Sequence, residues 1–483
     1  MKQPTYPLGR PVSASNIWPR RIYAAEAACV GVSRLRSREA MGLESTQKIP
    51  SDRRERFAWY MFDFANTSFT VLIVTVLFPR YFSYLVEVGT GSANLGDALW
   101  GYAGSITMIV IAISAPVLGA VADFSGSKKK FLIFYTGLCI VFNALLYFLR
   151  DDIPSFLGVD MWVWAFILFV IANIGFQGAL PFYNAWLPEI STEENIGKIG
   201  GNGYAAGYVG AMLTIIIAIA SLFMFPTQPT LPFLLSALFF LVFAIPSIAW
   251  LKNRPPARKP EEEGIPLWKI GFVRVRRTLK EIKYYQGLPL FLVAYFLFSD
   301  AITTVIYYAS LFAEKAYAFG DVDILIFFAV TQLAAIPGAF VFGVVADKIG
   351  TKRTLMITLV IWVAALALAY VGTDVIIWWI VGLMAGVGMG SSQSTARSMY
   401  GQFIPEEKKS EMYGFYALTG KFAAILGPFV YGSVLLLMGG ADSVVAHKTA
   451  MLSILAFFLV ALLILTRVRQ PKMGESKAGI VTT

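Results

Sequence analysis

Apolar residues along this chain do not alternate with polar ones. They run in long blocks broken by short polar segments. At 1.5 Å rise per residue, a helix needs about 20 apolar residues to cross a ~30 Å hydrocarbon core. Twelve blocks of that kind occur, at 57–86, 98–122, 131–149, 161–187, 200–225, 231–251, 288–313, 323–346, 354–372, 375–396, 412–438 and 447–466. Most breaks between them are short, so neighbouring spans are predicted to be antiparallel. The break over 252–287 is longer and charged, and it separates six spans from six. Within it, Pro255-Pro256 and Glu261-Glu262-Glu263 read as linker. From Leu267 to Tyr285, apolar Ile270, Phe272 and Val273 mix with Arg274, Arg276, Arg277 and Lys280, the pattern of an amphipathic helix lying on a membrane interface.

The predicted organisation is a disordered basic tail over 1–56, a six-span bundle over 57–251, a central loop over 252–287, a second six-span bundle over 288–466 and a tail over 467–483. The first segment lacks the apolar core of a signal peptide. Met41 opens a shorter lead-in and is an alternative start. Charge sets the expected orientation. Lys128, Lys129, Lys130, Lys198, Arg254, Arg258, Arg274, Arg276, Arg277, Lys352, Arg353 and Lys408 all fall in one alternate set of loops, while the other set holds little beyond Arg150, Lys315 and Lys448. Basic loops stay on the cytoplasmic side, so both termini and the central loop are expected there, and the short loops on the other side point to a bacterial plasma membrane.

Composition agrees: 57% of the residues are hydrophobic and 14% charged, against about 25% charged in soluble domains. The net charge of +10 follows from membrane orientation and does not call for nucleic acid. Cys29 and Cys139 offer no disulfide framework, and the single histidine, His447, reads as a loop residue. No phosphate-binding loop, zinc spacing or nucleophile elbow occurs, so no enzyme, no cofactor and no ATP-driven engine is expected.

One short pattern occurs twice, 224 residues apart: Gly119-x-x-x-Asp123-x-x-Gly126-x-Lys128 and Gly343-x-x-x-Asp347-x-x-Gly350-x-Lys352-Arg353. The duplication goes further. Gly197/Gly414 and Gly210/Gly427 keep an offset of 217, as do Pro188-Glu189 and Pro405-Glu406, and Asp63/Asp300 and Thr67/Thr304 keep one of 237. Two parallel repeats of six spans are the build of a two-halved carrier. The twice-used pattern resembles the signature loop of the major facilitator superfamily. That resemblance implies a twelve-helix, all-α membrane fold. It also implies that Asp123 and Asp347 cap neighbouring helices, while the basic residues latch the cytoplasmic side when the outside is open.

Several polar residues lie inside apolar spans. A carboxylate there costs at least about 2.5–3.5 kcal/mol, so it faces a cavity or a partner. Asp63 and Asp300 are therefore candidates for a proton site or a counter-ion to a substrate ammonium, with Asp63 open also to a capping role. Asn66 and Thr304 accompany them. Lys421 lies nine residues past Met412, about 14 Å into its helix. It could bind a substrate carboxylate, pair with Asp300 or serve a structural ion pair. Gln177 and Asn184 share one face of span four, and Gln393 and Arg397 share one face of span ten. These could line the path or bond between helices, and Arg397 could gate its mouth. The glycines of Gly203-x-x-x-Gly207 and Gly382-x-x-x-Gly386-x-x-x-Gly390 read as close helix packing.

Four stretches narrow the family: Trp59-Tyr60-Met-Phe-Asp63-Phe-Ala65-Asn66-Thr67-Ser68-Phe69, Ala185-Trp186-Leu187-Pro188-Glu189-Ile190, Gly203-Tyr204-Ala-Ala-Gly207-Tyr208-Val-Gly210 and Thr419-Gly420-Lys421 through Gly427-Pro428. They resemble the fungal autophagy-related vacuolar amino-acid effluxers and their bacterial relatives. The resemblance implies export of small neutral amino acids. The expected protein is thus a secondary carrier working by alternating access as a monomer among membrane lipids, with a small-molecule substrate and proton antiport through Asp300. Efflux of peptides, amphiphiles or drugs is the alternative within the class. A membrane sensor or scaffold that does not transport is the alternative outside it.

Overall fold

The computed structural model describes residues 53–150, 156–191, 195–253, 266–404, 409–439 and 443–469. Residues 1–52 and 470–483 of the expected tails, the linker prolines and Pro405-Glu406 lie outside the described residues, while 53–56, expected as disordered tail, begin the first helix. Among those described, the chain is all-α. Twelve helices are long and apolar enough to cross a membrane: Arg53–Val76, Asn94–Ala122, Lys128–Phe148, Met161–Ala185, Lys198–Met224, Leu231–Trp250, Leu288–Tyr317, Asp321–Ile349, Thr351–Val371, Val375–Phe403, Met412–Leu437 and Ser443–Arg467. They are spans one to twelve below.

Three spans depart from the expectation, span eleven by an interruption between Ala423 and Leu426. Span one was expected as one helix over 57–86. It is α-helical over Arg53–Phe69 and widens into a π-helical stretch over Thr70–Val76, and a second helix runs over Phe78–Thr90. Pro79, second in that last helix, is the physical reason. It lacks an N–H and its ring crowds the carbonyl four residues back, so Leu77 N reaches Leu72 O, five residues back, at 3.0 Å. Span twelve begins at Ser443, which places His447 inside a helix with its side chain fully buried. The loop reading of His447 is wrong.

Packing repeats with the sequence. Span one packs on five and six, as seven packs on eleven and twelve. Span two packs on four, as eight packs on ten. Span three packs on four and six, as nine packs on ten and twelve. The halves meet where span two packs on eleven and span five on eight. One face of the assembly carries Arg53, the span two–three turn, the span eight–nine turn and Arg467; we call it the basic face and the other the far face. Both signature loops turn there, at Gly126 (φ 59°) and Gly350 (φ 89°), where a Cβ would be strained.

The central segment holds a helix over Leu267–Ile282. It buries Ile270, Thr278 and Ile282 and exposes Phe272, Val273 and Leu279. Gly271 lies on span two: a Cβ there would sit 2.0 Å from the Pro116 carbonyl oxygen.

The span-ten glycines form a packing stripe. A Cβ on Gly382 would meet Phe327 at 2.4 Å, on Gly386 the Thr331 carbonyl at 2.3 Å and on Gly390 the Ala335 carbonyl at 2.2 Å. Apolar helices in lipid gain little from burying surface, so close backbone approach is what holds them. Gly390→Val, which must push span eight away, is therefore expected to cost about 1–3 kcal/mol and lower the melting temperature in detergent. Gly201→Ala, with open space around it, is expected to leave the melt unchanged.

Candidate functional site

Span eleven is not continuous. Its first helix ends at Ala423 and its second begins at Leu426. Pro428 contributes to the break, since it has no N–H to give the residue four back. Backbone groups freed inside a membrane must find partners, and here they come from two other spans. Asp300 of span seven accepts the Gly427 N–H through Oδ1 at 2.9 Å. Ser105 of span two donates to the Ile425 carbonyl at 2.9 Å. Asp300 is 0% exposed, and its Oδ2 has no hydrogen-bond partner. The space above Gly427 is full: a Cβ would lie 2.0 Å from Thr304 Oγ1. Thr304 itself donates to the Asp300 carbonyl at 2.8 Å.

Lys421 occupies the last turn before the break, where the helix dipole favours a cation. Asp300 sits at the start of the half-helix after it, where the dipole favours an anion. The Lys421 Nζ donates to Gln177 Oε1 of span four, across the two halves. Among the described residues, neither Asp300 nor any other carboxylate pairs with Lys421. The Asp300–Lys421 pair and the structural ion pair considered from sequence are thus not formed in this structure.

An aromatic pair packs beside the residue before this lysine. Tyr295 stacks on Tyr416 with centroids 4.1 Å apart, and its hydroxyl would lie 2.9 Å from a Cβ on Gly420. The Arg397 carbonyl of span ten accepts the Tyr413 hydroxyl at 3.3 Å. Arg397, Gln393, Asn184 and Tyr204 are exposed, all toward the basic-face ends of their spans.

Asp63 lies apart from this group, within the first half. Asn66 Nδ2 donates to its Oδ1 at 3.5 Å. Thr67 bonds both the Asp63 carbonyl, at 2.8 Å, and the Gly207 carbonyl of span five, at 3.1 Å. A Cβ on Gly203 would sit 3.1 Å from Asp63 Oδ2. Asp63 therefore occupies the place in its half that Asp300 holds in the other, but span five is continuous and offers it no free N–H.

The signature-loop residues act within their own halves. Lys128 Nζ pairs with Glu189 at 2.6 Å. Lys352 Nζ donates to the Thr466 and Val468 carbonyls, both at 2.8 Å, closing the end of span twelve. Asp347 and Arg353 are exposed, and Gly119 and Gly343 face open space. The Asp123 side chain lies outside the described residues.

Contacts between the halves gather at the far face. Arg80, in the helix after Pro79, pairs with Glu314 at 2.9 Å and with Asp321, and donates to the Phe319 carbonyl at 3.1 Å. Trp100 donates to the Tyr307 carbonyl at 3.1 Å, and Asn94 to Met438 O at 3.3 Å. Asp97 of span two bonds His447 of span twelve at 2.9 Å. Spans two and eleven touch at backbone distance, since a Cβ on Gly101 would be 2.3 Å from Pro428 O and one on Gly432 would be 2.7 Å from Ala98 O. Sequence reasoning passed over Arg80, Asp97, His447 and Tyr295. A charge just after an in-span proline and paired small residues on spans two and eleven were the available signals.

Two six-helix repeats, shut against each other at one face with polar side chains meeting between them, define a twelve-span membrane carrier. Among solved structures the fold matches the nucleoside transporter NupG, with TM-score 0.61 and 14% identity over 86% of this chain and 99% of that one. It matches an inward-facing bacterial homologue of the iron transporter ferroportin as well, with TM-score 0.61 and 13% identity over 86% and 97%. At such identities they speak for fold alone. The family described as vacuole effluxer Atg22 like matches residues 97–478, and the chain belongs to that family. Relatives include the uncharacterized MFS-type transporter YxiO of Bacillus subtilis, 28% identical over 422 residues and covering 85% of this chain and 94% of that protein. Autophagy-related protein 22 of Coccidioides immitis is 23% identical over 428 residues, covering 72% and 68%. The protein is a multi-pass membrane transporter of a small molecule and not an enzyme.

The cap at the break generates a stability test. Asp300→Asn keeps an oxygen for the Gly427 N–H and is expected to melt close to the parent. Asp300→Ala strands that N–H in a dry site and is expected to lose about 1–3 kcal/mol, read as a lower melting temperature.

Proposed function

We propose that the chain exports small neutral amino acids by alternating access from a pocket beside the span-eleven break. The observation that carries this reading is Lys421. An ammonium deep in a membrane is held by a neutral amide from the opposite half, so an incoming carboxylate can replace Gln177 and gain a full charge partner. The exposed Arg397, Gln393, Asn184 and Tyr204 would line the route from the basic face. By the distribution of Lys and Arg that face is cytoplasmic, in a bacterial plasma membrane. Asp63, Asn66 and Tyr204 are assigned to the first half's share of the path, where a substrate ammonium would find a carboxylate.

Proton antiport is the drive we assign. Asp300 can take a proton on Oδ2 without giving up the bond from Gly427 to Oδ1, so it can change charge while the break stays capped. Thr304, which bonds the Asp300 backbone carbonyl, packs against Gly427 beside the carboxyl. The signature loops, with Asp123 and Asp347, would latch the basic face in the other state of the cycle. One chain suffices for this mechanism, and no cofactor is required.

A thermal-shift series on the purified protein tests the reading. A ligand at 100-fold over its dissociation constant adds about 2.7 kcal/mol of stability. Neutral amino acids are expected to raise the melt of the parent and to leave Lys421→Gln unmoved. A shift with hydrophobic cations alone would replace the amino-acid reading by drug efflux. No shift with either, and no exchange of labelled amino acid in proteoliposomes, would refute it.

A further inference from the structure

The far-face interface holds two charged groupings of different kinds. Arg80 with Glu314 and Asp321 remains partly wet, since Asp321 is 47% exposed, and a guanidinium does not titrate. Asp97 and His447 are both 0% exposed and come from opposite halves. Both carboxylate oxygens of Asp97 and both ring nitrogens of His447 are engaged. Asp97 Oδ1 accepts the Ser83 hydroxyl, and Asp97 Oδ2 faces His447 Nε2 at 2.9 Å. Tyr431 Oη lies 3.0 Å from His447 Nδ1 and 3.3 Å from the His447 carbonyl. Tyr308, stacked on Tyr431 at 3.9 Å, donates to the Asp97 carbonyl. Phe312 of span seven closes one side of the imidazole at 6.3 Å. Lys448, the next residue on span twelve, is the nearest further charge along the chain, and Tyr102 and Tyr307 lie close to Tyr308.

This arrangement can hold a histidinium. Its Nε2–H has the Asp97 carboxylate, and its Nδ1–H has Tyr431 Oη, whose own proton goes to the His447 carbonyl. Each proton has an acceptor and each charge a counter-charge. Parting the halves at this face must break the pair and hydrate both groups. Taking two ions out of water is costly, and only their mutual attraction and the surrounding hydrogen bonds offset it, so the shut contact holds only while the pair is complete.

We propose that Asp97 and His447 form a proton-binding gate at the far face: the shut state holds a proton on the pair, and opening lets it go to the water on that side. If the shut state binds one more proton than the open one, the open-to-shut ratio rises with pH, by up to about tenfold per pH unit. The site is separate from Asp300, and the reading does not depend on which solute is carried.

Pulsed electron–electron distance measurements on the full chain in nanodiscs test it without substrate. Spin labels go at Val88 and Leu437, exposed far-face positions of the two halves, in a Cys29→Ser, Cys139→Ala background. Across a pH series, the parent is expected to gain a longer-distance population as pH rises. His447→Gln is expected to flatten that response. Tyr431→Phe, which keeps the ring stack and removes the Nδ1 partner, is expected to move its midpoint. A distance distribution that does not change with pH in the parent overturns the proposal. So does a response that survives His447→Gln. Should that variant not fold, an unmoved midpoint in Tyr431→Phe overturns it.

Discussion

A hydrocarbon interior offers backbone amides no water, and the break in span eleven has to be answered within that limit. Two groups answer it. The Asp300 carboxylate takes the freed Gly427 N–H, and the Ser105 hydroxyl bonds the Ile425 carbonyl. The first comes from the same half and the second from the other. The break is thereby stitched to spans seven and two at once, and the half-helix ends it creates supply dipoles for Lys421 before it and Asp300 after it. The placement of Asp300 and Lys421 and the position of the candidate site follow from this one interruption.

The two halves are alike in packing and unlike at this spot. Asp63 and Asp300 sit at matching places on spans one and seven, each beside the glycine-bearing helix of its own half. Span five runs unbroken, so Asp63 is left with Asn66 and a face toward Gly203. Span eleven is interrupted, so Asp300 becomes a cap and is lost from water. Duplication built a symmetric scaffold, and a local helix break near Pro428 made one half the more specialised. Shutting the far face depends on the same helix: spans two and eleven approach to backbone contact at Gly101 and Gly432, which no larger side chain would permit.

Much of this was legible beforehand. Span positions follow from the thickness of a bilayer and the rise of a helix, so twelve apolar blocks became twelve helices with ends shifted by a few residues. The doubled Gly-x-x-x-Asp-x-x-Gly loop carried the repeat, and the Gly382, Gly386 and Gly390 stripe carried a helix crossing. In each case the determining physics acts between residues close in sequence or through a solvent that is uniform along the span. The split of span one was within reach too, since Pro79 is a local cause.

Partnerships across the halves were not legible. Asp97 and His447 are 350 residues apart in the chain, as Lys421 and Gln177 are 244 apart. A lone histidine at the edge of an apolar block looks like a loop residue until the opposing helix is in place. Nothing around Arg80 in the sequence points to Glu314 and Asp321, which stand opposite it in the fold. The sequence by itself determined the number of spans, their doubling and the family of carriers to which they belong. Which charges are buried, which are paired and which face is shut was decided only by the tertiary structure, because those properties depend on what lies across a helix interface, and the periodicity of a single helix does not record its neighbour.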